Sequence, residues 1–163
     1  MLKIVNIKAR YGDCFLIQSC DKYVNFLIDC GFKQTYKQEI RKLTNSVDFI
    51  ILTHVDEDHI YGAIPLIEDY PDKFSFNRLY INTPSSCSVA KRAGNISISQ
   101  SITLESLLKQ KKIPYGSLVQ GTNLNIDDKR ISYIKKEGFS DLNIVLEKDN
   151  INSTREEIIF IKK

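Results

Sequence analysis

Histidine is scarce in this chain: among its 163 residues only His54 and His59 carry an imidazole, so no third imidazole can come from within to build a metal site. Cysteine is also sparse, and Cys14, Cys20, Cys30 and Cys87 show no C-x-x-C spacing. Three of them sit in or beside apolar runs, where a free thiol behaves as a small core residue, so no disulfide framework is implied. No apolar run approaches the roughly 18 residues that a membrane span requires. The amino terminus, Met1-Leu-Lys-Ile-Val-Asn-Ile-Lys8, alternates apolar and polar residues and lacks the continuous apolar centre of a signal peptide. These absences set the expectation of a reduced, cytoplasmic setting without a membrane partner. Charge of one sign is nearly balanced as well. Twenty-three Lys and Arg against 20 Asp and Glu leave a net charge of +3, with the lysines scattered, which neither demands nor excludes a nucleic-acid partner.

What is present fits an ordinary globular chain. At 42% hydrophobic and 26% charged residues, residues 1–163 have the size and composition of one domain with a real core, and no repeat, low-complexity tract or linker interrupts them. Leu2–Ala9, Asp13–Ser19 and Tyr23–Asp29 read as three strands of an antiparallel meander, with turns at Gly12 and at Cys20-Asp21-Lys22. Tyr36–Leu43 reads as a charged amphipathic helix leading to a buried strand at Val47–Leu52. A helix is expected from Ile60 to Tyr70 despite Gly62 and Pro65, then a strand at Leu79–Asn82. Ser99–Lys112 has Ile102, Leu104, Leu107 and Leu108, hydroxyl residues near its start and Pro114 after its end, which predicts a further helix. Thr83–Ser99 is rich in small residues and turns and is long enough for a flap beside a site. From Tyr115 onward, short apolar runs separated by Gly116, Gly121, Asp127-Asp128 and Asp149-Asn150 predict hairpins of a second, incomplete sheet.

The chemistry is concentrated in Ile51-Leu-Thr-His-Val-Asp-Glu-Asp-His59. His54, Asp56, Asp58 and His59 fall within six positions directly after the buried strand, where an α/β sheet commonly carries its site. Two imidazoles and two carboxylates this close leave charge stranded unless a cation joins them, and divalent zinc, manganese or iron accepts such N/O donor sets. In an extended turn His54 and Asp56 share one direction while Asp58 and His59 lie further along, so two adjacent ions are the natural reading. A calcium loop starting at Asp56 fails, because Ile60 and Tyr61 occupy the positions that need an oxygen ligand and a glycine. Among the neighbours, Glu57 is expected to face away and Asp13 to be a buried structural hydrogen-bonder. Lys109, Lys111 and Lys112 read as a solvated helix end interacting with its own dipole.

Thr53-His-Val-Asp-Glu-Asp-His59 resembles the H-x-H-x-D-H signature of the metallo-β-lactamase-like hydrolases, with Asp56 where most members have their second histidine. That His-x-Asp-x-Asp-His form is similar to the hydrolase domain of bacterial DNA-uptake channel proteins. Tyr11-Gly-Asp-Cys-Phe-Leu-Ile17 and Phe26-Leu-Ile-Asp-Cys-Gly31 resemble that subgroup's preceding strand motifs, in the expected order. Leu79–Asn82 and Ser140–Leu146 are similar to later strands of the family. The resemblance implies an α/β (α+β) fold of the αββα sandwich type, here its amino-terminal half plus an incomplete second sheet. It also implies a metal-dependent hydrolase acting on phosphodiester or related ester bonds through a hydroxide bridging two ions. His54, Asp56, Asp58 and His59 are then metal ligands, Asp58 also orients the hydroxide, and Asp29 supports the ligand loop. Zinc is the expected ion, with manganese or iron as alternatives, and the substrate is a small molecule, a nucleotide or a nucleic acid.

The resemblance also implies what is missing. In the family, a strand such as Glu157–Ile161 runs into a Gly-Asp pair that bridges the metals, and a later segment adds another histidine, whereas this sequence ends at Lys163. The motif's four donors fall short of the roughly six or seven that two ions need. Asp127, Asp128, Asp141 and Asn143 are the late candidates, with no spacing that recommends them. The alternative to an enzyme is therefore a truncated non-catalytic remnant or interaction module. A partner polypeptide or a second copy could also supply the missing ligands across an interface.

Overall fold

A computed structural model of the chain describes residues 2–19, 25–81 and 96–117, together with the strands 123–126, 129–134, 143–148 and 156–159. Two compact units result, Met1–Ser117 and Leu118–Lys163. The first is a mixed α/β unit on a six-stranded sheet, as the sequence predicts. Its strands β1 (Leu2–Asn6), β2 (Phe15–Ser19) and β3 (Asn25–Ile28) form the expected antiparallel meander. From β3 the sheet continues in parallel through β4 (Phe49–Leu52), β5 (Arg78–Ile81) and β6 (Tyr115–Gly116), so that spatial order equals chain order. The second unit is an antiparallel sheet in the order β10 (Glu156–Ile159), β9 (Asn143–Lys148), β8 (Lys129–Ile134), β7 (Asn123–Ile126).

Burial explains the parallel half. All four residues of β4, Phe-Ile-Ile-Leu, are buried, as expected of a strand covered on both faces. Phe26 stacks on Phe49 across β3 and β4, with ring centroids 4.8 Å apart. One face meets Tyr36, Ile40, Ile60, Leu66, Ile67 and Phe74, which belong to one core with Leu27, Ile50 and Leu79. Leu104 and Leu108 join it from α4 (Ile96–Gln110), while Ile102 on the same helix is 53% exposed. Among the described residues no helix is long and apolar enough to cross a membrane.

Three details differ from the sequence reading. The helix expected from Tyr36 is a π-helical turn, Thr35–Ile40, running into α1 (Arg41–Leu43). The helix expected from Ile60 is two short ones, α2 (Glu57–Ile60) and α3 (Ala63–Glu68). Gly62 separates them because its amide donates to the Gly31 carbonyl at 2.7 Å and its Cα lies against the Cys30 carbonyl, where a side chain has no room. Pro65 falls in the first turn of α3, where a missing N–H costs nothing. Lys111 is not simply solvated: its ammonium donates to the Glu68 and Tyr70 carbonyls, both at 2.6 Å, tying the end of α4 to the end of α3. The flap expected from Thr83 lies outside the described residues up to 95, and its last residues belong to α4. Cys20, Cys87, Asp127, Asp128 and Asp141 also lie outside the described residues.

Candidate metal centre

Strand register gathers the site. Ile28 pairs with Ile51, so the chain leaves β3 and β4 side by side at their carboxyl ends. The Asp29 amide donates to the Ile51 carbonyl at 2.8 Å, one step beyond the ladder, and brings Asp29 beside Thr53. Phe15 pairs with Ile28 in the antiparallel sense, which carries Asp13 and Cys14 to the same edge. From the other side the Cys30 amide donates to the His59 carbonyl at 2.8 Å and holds α2 against the loop.

Asp29 organises what converges there. Its backbone has φ 54°, a left-handed conformation that aspartate tolerates better than most residues, and it is buried. Its Oδ1 accepts from the Thr53 amide at 2.8 Å. Its Oδ2 accepts from the Thr53 hydroxyl at 2.7 Å and pairs with His59 Nδ1 at 2.8 Å. A carboxylate can only accept, so His59 Nδ1 carries a proton, and in the neutral ring Nε2 holds the lone pair. Thr53 extends the argument to His54. Its single hydroxyl proton goes to Asp29, so towards His54 Nδ1, 2.8 Å away, it can only accept. In the neutral rings the proton of both imidazoles therefore sits on Nδ1, and Nε2 is the basic atom.

Both Nε2 atoms face carboxylates. His54 Nε2 lies 3.4 Å from Asp56 Oδ2. His59 Nε2 lies 3.6 Å from Asp58 Oδ2 and 3.9 Å from Asp13 Oδ2. The two rings are close neighbours, with centroids 3.7 Å apart. His59 Nε2 is fully buried and has no hydrogen-bond partner, an arrangement that costs about 1–3 kcal/mol if nothing binds there. Burial opposes charge on this ring. The hydrogen bond and charge of Asp29, with Asp58 and Asp13 beyond it, outweigh that effect and hold the imidazole pKa above its ordinary value. A positive charge is thus favoured at this spot. One donor atom from each of Asp29, His54 and His59 lies within 4.8 Å of the other two. An orphaned nitrogen, a negative surround and imidazoles oriented from behind are the donor chemistry that a divalent cation fits.

The structure brings together His54, Asp56, Asp58, His59 and Asp29, though not on the extended turn expected from the sequence. Asp56 is extended and caps α2, while Asp58 and His59 lie in the helix itself. Asp13 is not the buried hydrogen-bonder expected of it: its side chain is 46% exposed and faces the ring of His59. Gly12 sets that position. A Cβ there would overlap the Asp58 carbonyl, so only glycine lets the β1–β2 loop lie on the start of α2. Sequence reading gave Thr53 no role, and its position directly before His54 was the available signal.

Residues 7–73 match the family model of the metallo-beta-lactamase superfamily. The match covers less than half of the chain, and with the structural likeness it shows a metallo-β-lactamase-like fold. The chain is similar in structure to YhfI from Bacillus subtilis, a metallo-beta-lactamase fold protein, with a TM-score of 0.60 at 17% identity over 90% of this chain and 58% of that one. This chain thus spans 58% of the length of that relative, and the likeness is one of fold. Weaker likenesses are to a diphosphatase of the PhnP family (TM-score 0.46, 14% identity, 82% of this chain and 42% of that one) and to a HARLDQ-motif metallo-beta-lactamase from Cronobacter sakazakii (0.49, 13%, 80% and 50%). No curated protein matches the sequence.

Proposed function

We propose that residues 1–163 form a metallo-β-lactamase-type domain acting as a metal-dependent hydrolase on phosphodiester or related ester bonds. The observation that carries this reading is His59 Nε2, buried and without a partner while Nδ1 is held by Asp29. His54 and Asp56 are the donors for one divalent ion and His59 and Asp58 for a second, with zinc the expected metal and manganese or iron the alternatives. When bound, such ions supply Lewis acidity and lower the pKa of a coordinated water. The chain's own residues do the rest. Asp29 directs the ring proton to Nδ1, directly for His59 and through Thr53 for His54, so that Nε2 is the atom left to bind an ion, and the Asp58 carboxylate orients the attacking water. The preference for phosphodiesters rests on the resemblance of the Asp56-containing motif to the DNA-uptake hydrolases.

With two histidines in the sequence, a second reading has its own support. The donors beyond the motif then come from a second copy or another polypeptide, and the isolated chain is a folded but inactive module. One experiment separates the two. Metal analysis combined with hydrolysis of a bis-aryl phosphodiester should give about two ions per chain and an activity lost in His54→Ala and Asp58→Ala. Equal background turnover by all three proteins rejects the enzyme reading for the chain alone.

A further inference from the structure

The β1–β2 loop has no assigned part in the site, yet it approaches the least satisfied atom in it. We infer that Asp13 is a metal ligand, a third donor that joins His59 and Asp58 on one divalent cation; this rests on the metal-dependent reading above. Two donors each about 2.1 Å from one ion lie about 3.4 Å apart at a tetrahedral angle and about 4 Å apart at a wider one. The observed separations from His59 Nε2, 3.6 Å to Asp58 Oδ2 and 3.9 Å to Asp13 Oδ2, fall in that range and are too long for hydrogen bonds.

Two further observations separate this arrangement from a chance meeting of acids. His59 Nε2 is buried, unpartnered and aimed at the two carboxylates, so the trio contains a base with nothing else to bind. The loop is also held in place: the Gly12 amide donates to the Ala9 carbonyl at 3.0 Å, Ile7 donates to the Cys14 carbonyl at 2.9 Å, and Gly12 packs against the Asp58 carbonyl. Asp13 is therefore presented by a fixed turn resting on the ligand loop itself. In a chain with two imidazoles, a carboxylate from this turn raises the donors on the His59 side from two to three. Three donors and a water make a four-coordinate site.

Titration of the full chain with Co²⁺, followed by calorimetry and by the visible cobalt spectrum, tests this. Asp13→Asn, which keeps the shape, should weaken Co²⁺ binding at least about ten-fold and change the spectrum, whereas Asp13→Glu should retain part of the affinity and a carboxylate-type spectrum. His59→Ala should abolish the same binding event. Unchanged affinity and spectrum in Asp13→Asn, with binding lost in His59→Ala, overturn the role of Asp13 and leave the metal reading standing. Equal losses in Asp13→Asn and Asp13→Glu assign the effect to loop packing and also overturn it. No Co²⁺ binding by the unaltered chain overturns both readings together.

Discussion

Replacing Asp29 by asparagine probes the relay that holds the two imidazoles. The native carboxylate accepts three hydrogen bonds, from the Thr53 amide at 2.8 Å, the Thr53 hydroxyl at 2.7 Å and His59 Nδ1 at 2.8 Å. Asparagine has nearly the same shape and tolerates the left-handed backbone at φ 54°, so neither packing nor strain changes much. What changes is that one oxygen becomes an NH₂ group facing a donor. In the better of the two amide orientations the Thr53 N–H is left unpaired and the other two bonds lose their charge assistance. A bond to a charged group is worth about 1.5–3 kcal/mol and an unsatisfied buried donor costs about 1–3 kcal/mol, two overlapping terms. Asp29→Asn should therefore destabilise the metal-free chain by about 2–4 kcal/mol, read from urea unfolding in a chelator. Asp29→Ala should cost more, since it loses all three bonds and adds about 1 kcal/mol of backbone strain. Thr53→Val should be non-additive with Asp29→Asn because both cut the same network. A change below about 0.5 kcal/mol in Asp29→Asn, or strict additivity with Thr53→Val, refutes the relay.

Gly62 has an ordinary helical φ of −71°, where alanine normally stabilises by about 0.4–1 kcal/mol. Contact with the Cys30 carbonyl should reverse the sign, so Gly62→Ala should lower stability by about 1–3 kcal/mol in thermal or urea unfolding. Burial first, and the nearby Asp29 charge as well, push the thiols of Cys14 and Cys30 well above the usual cysteine range. Both should resist iodoacetamide at pH about 8 and react once the chain is unfolded, as peptide mapping by mass spectrometry would show; alkylation at the rate of a free thiol contradicts this. Burial, and then the hydrogen bond from its hydroxyl to Asp69 Oδ2 at 2.9 Å, raises the pKa of Tyr36. A raised folded-state pKa means that its contribution is complete below a pH of about 10 and is lost as pH climbs above it. Tyr36→Phe should be about 1 kcal/mol less stable at neutral pH and should show a smaller alkaline loss of stability.

Legibility followed the range of the interactions. Strand existence was plain, because Phe49–Leu52 is a continuous apolar run, residues 1–8 alternate, and turn residues separate the first three strands. The candidate donors at 54, 56, 58 and 59 were visible as a cluster, since their spacing is a local property of the chain. The break between α2 and α3 was not, because what splits them is a backbone contact between Gly62 and the distant residues Cys30, Gly31 and Phe32. Nor was the tie of Lys111 to the end of α3, where two carbonyls meet it only in the folded chain.

Asp13 shows the limit most clearly. In an apolar strand a lone aspartate reads as an interior hydrogen-bonder, and nothing in Tyr11-Gly-Asp-Cys14 says otherwise. Its orientation follows from two registers at once, Phe15 against Ile28 and Ile28 against Ile51, which carry residues 13, 29 and 53 to one sheet edge although they are far apart in sequence. A one-residue slip in either pairing would turn Asp13 or Asp29 to the opposite face and dismantle the cluster. The buried apolar residues of β2, β3 and β4 favour those registers, because a slip would break the packing of Leu16, Leu27 and Ile50 in the core and the stacking of Phe26 on Phe49. The geometry of this candidate metal site is therefore held by the hydrophobic core beneath it, and core substitutions that shift register should weaken Co²⁺ binding even where they touch none of Asp13, Asp29, His54 and His59.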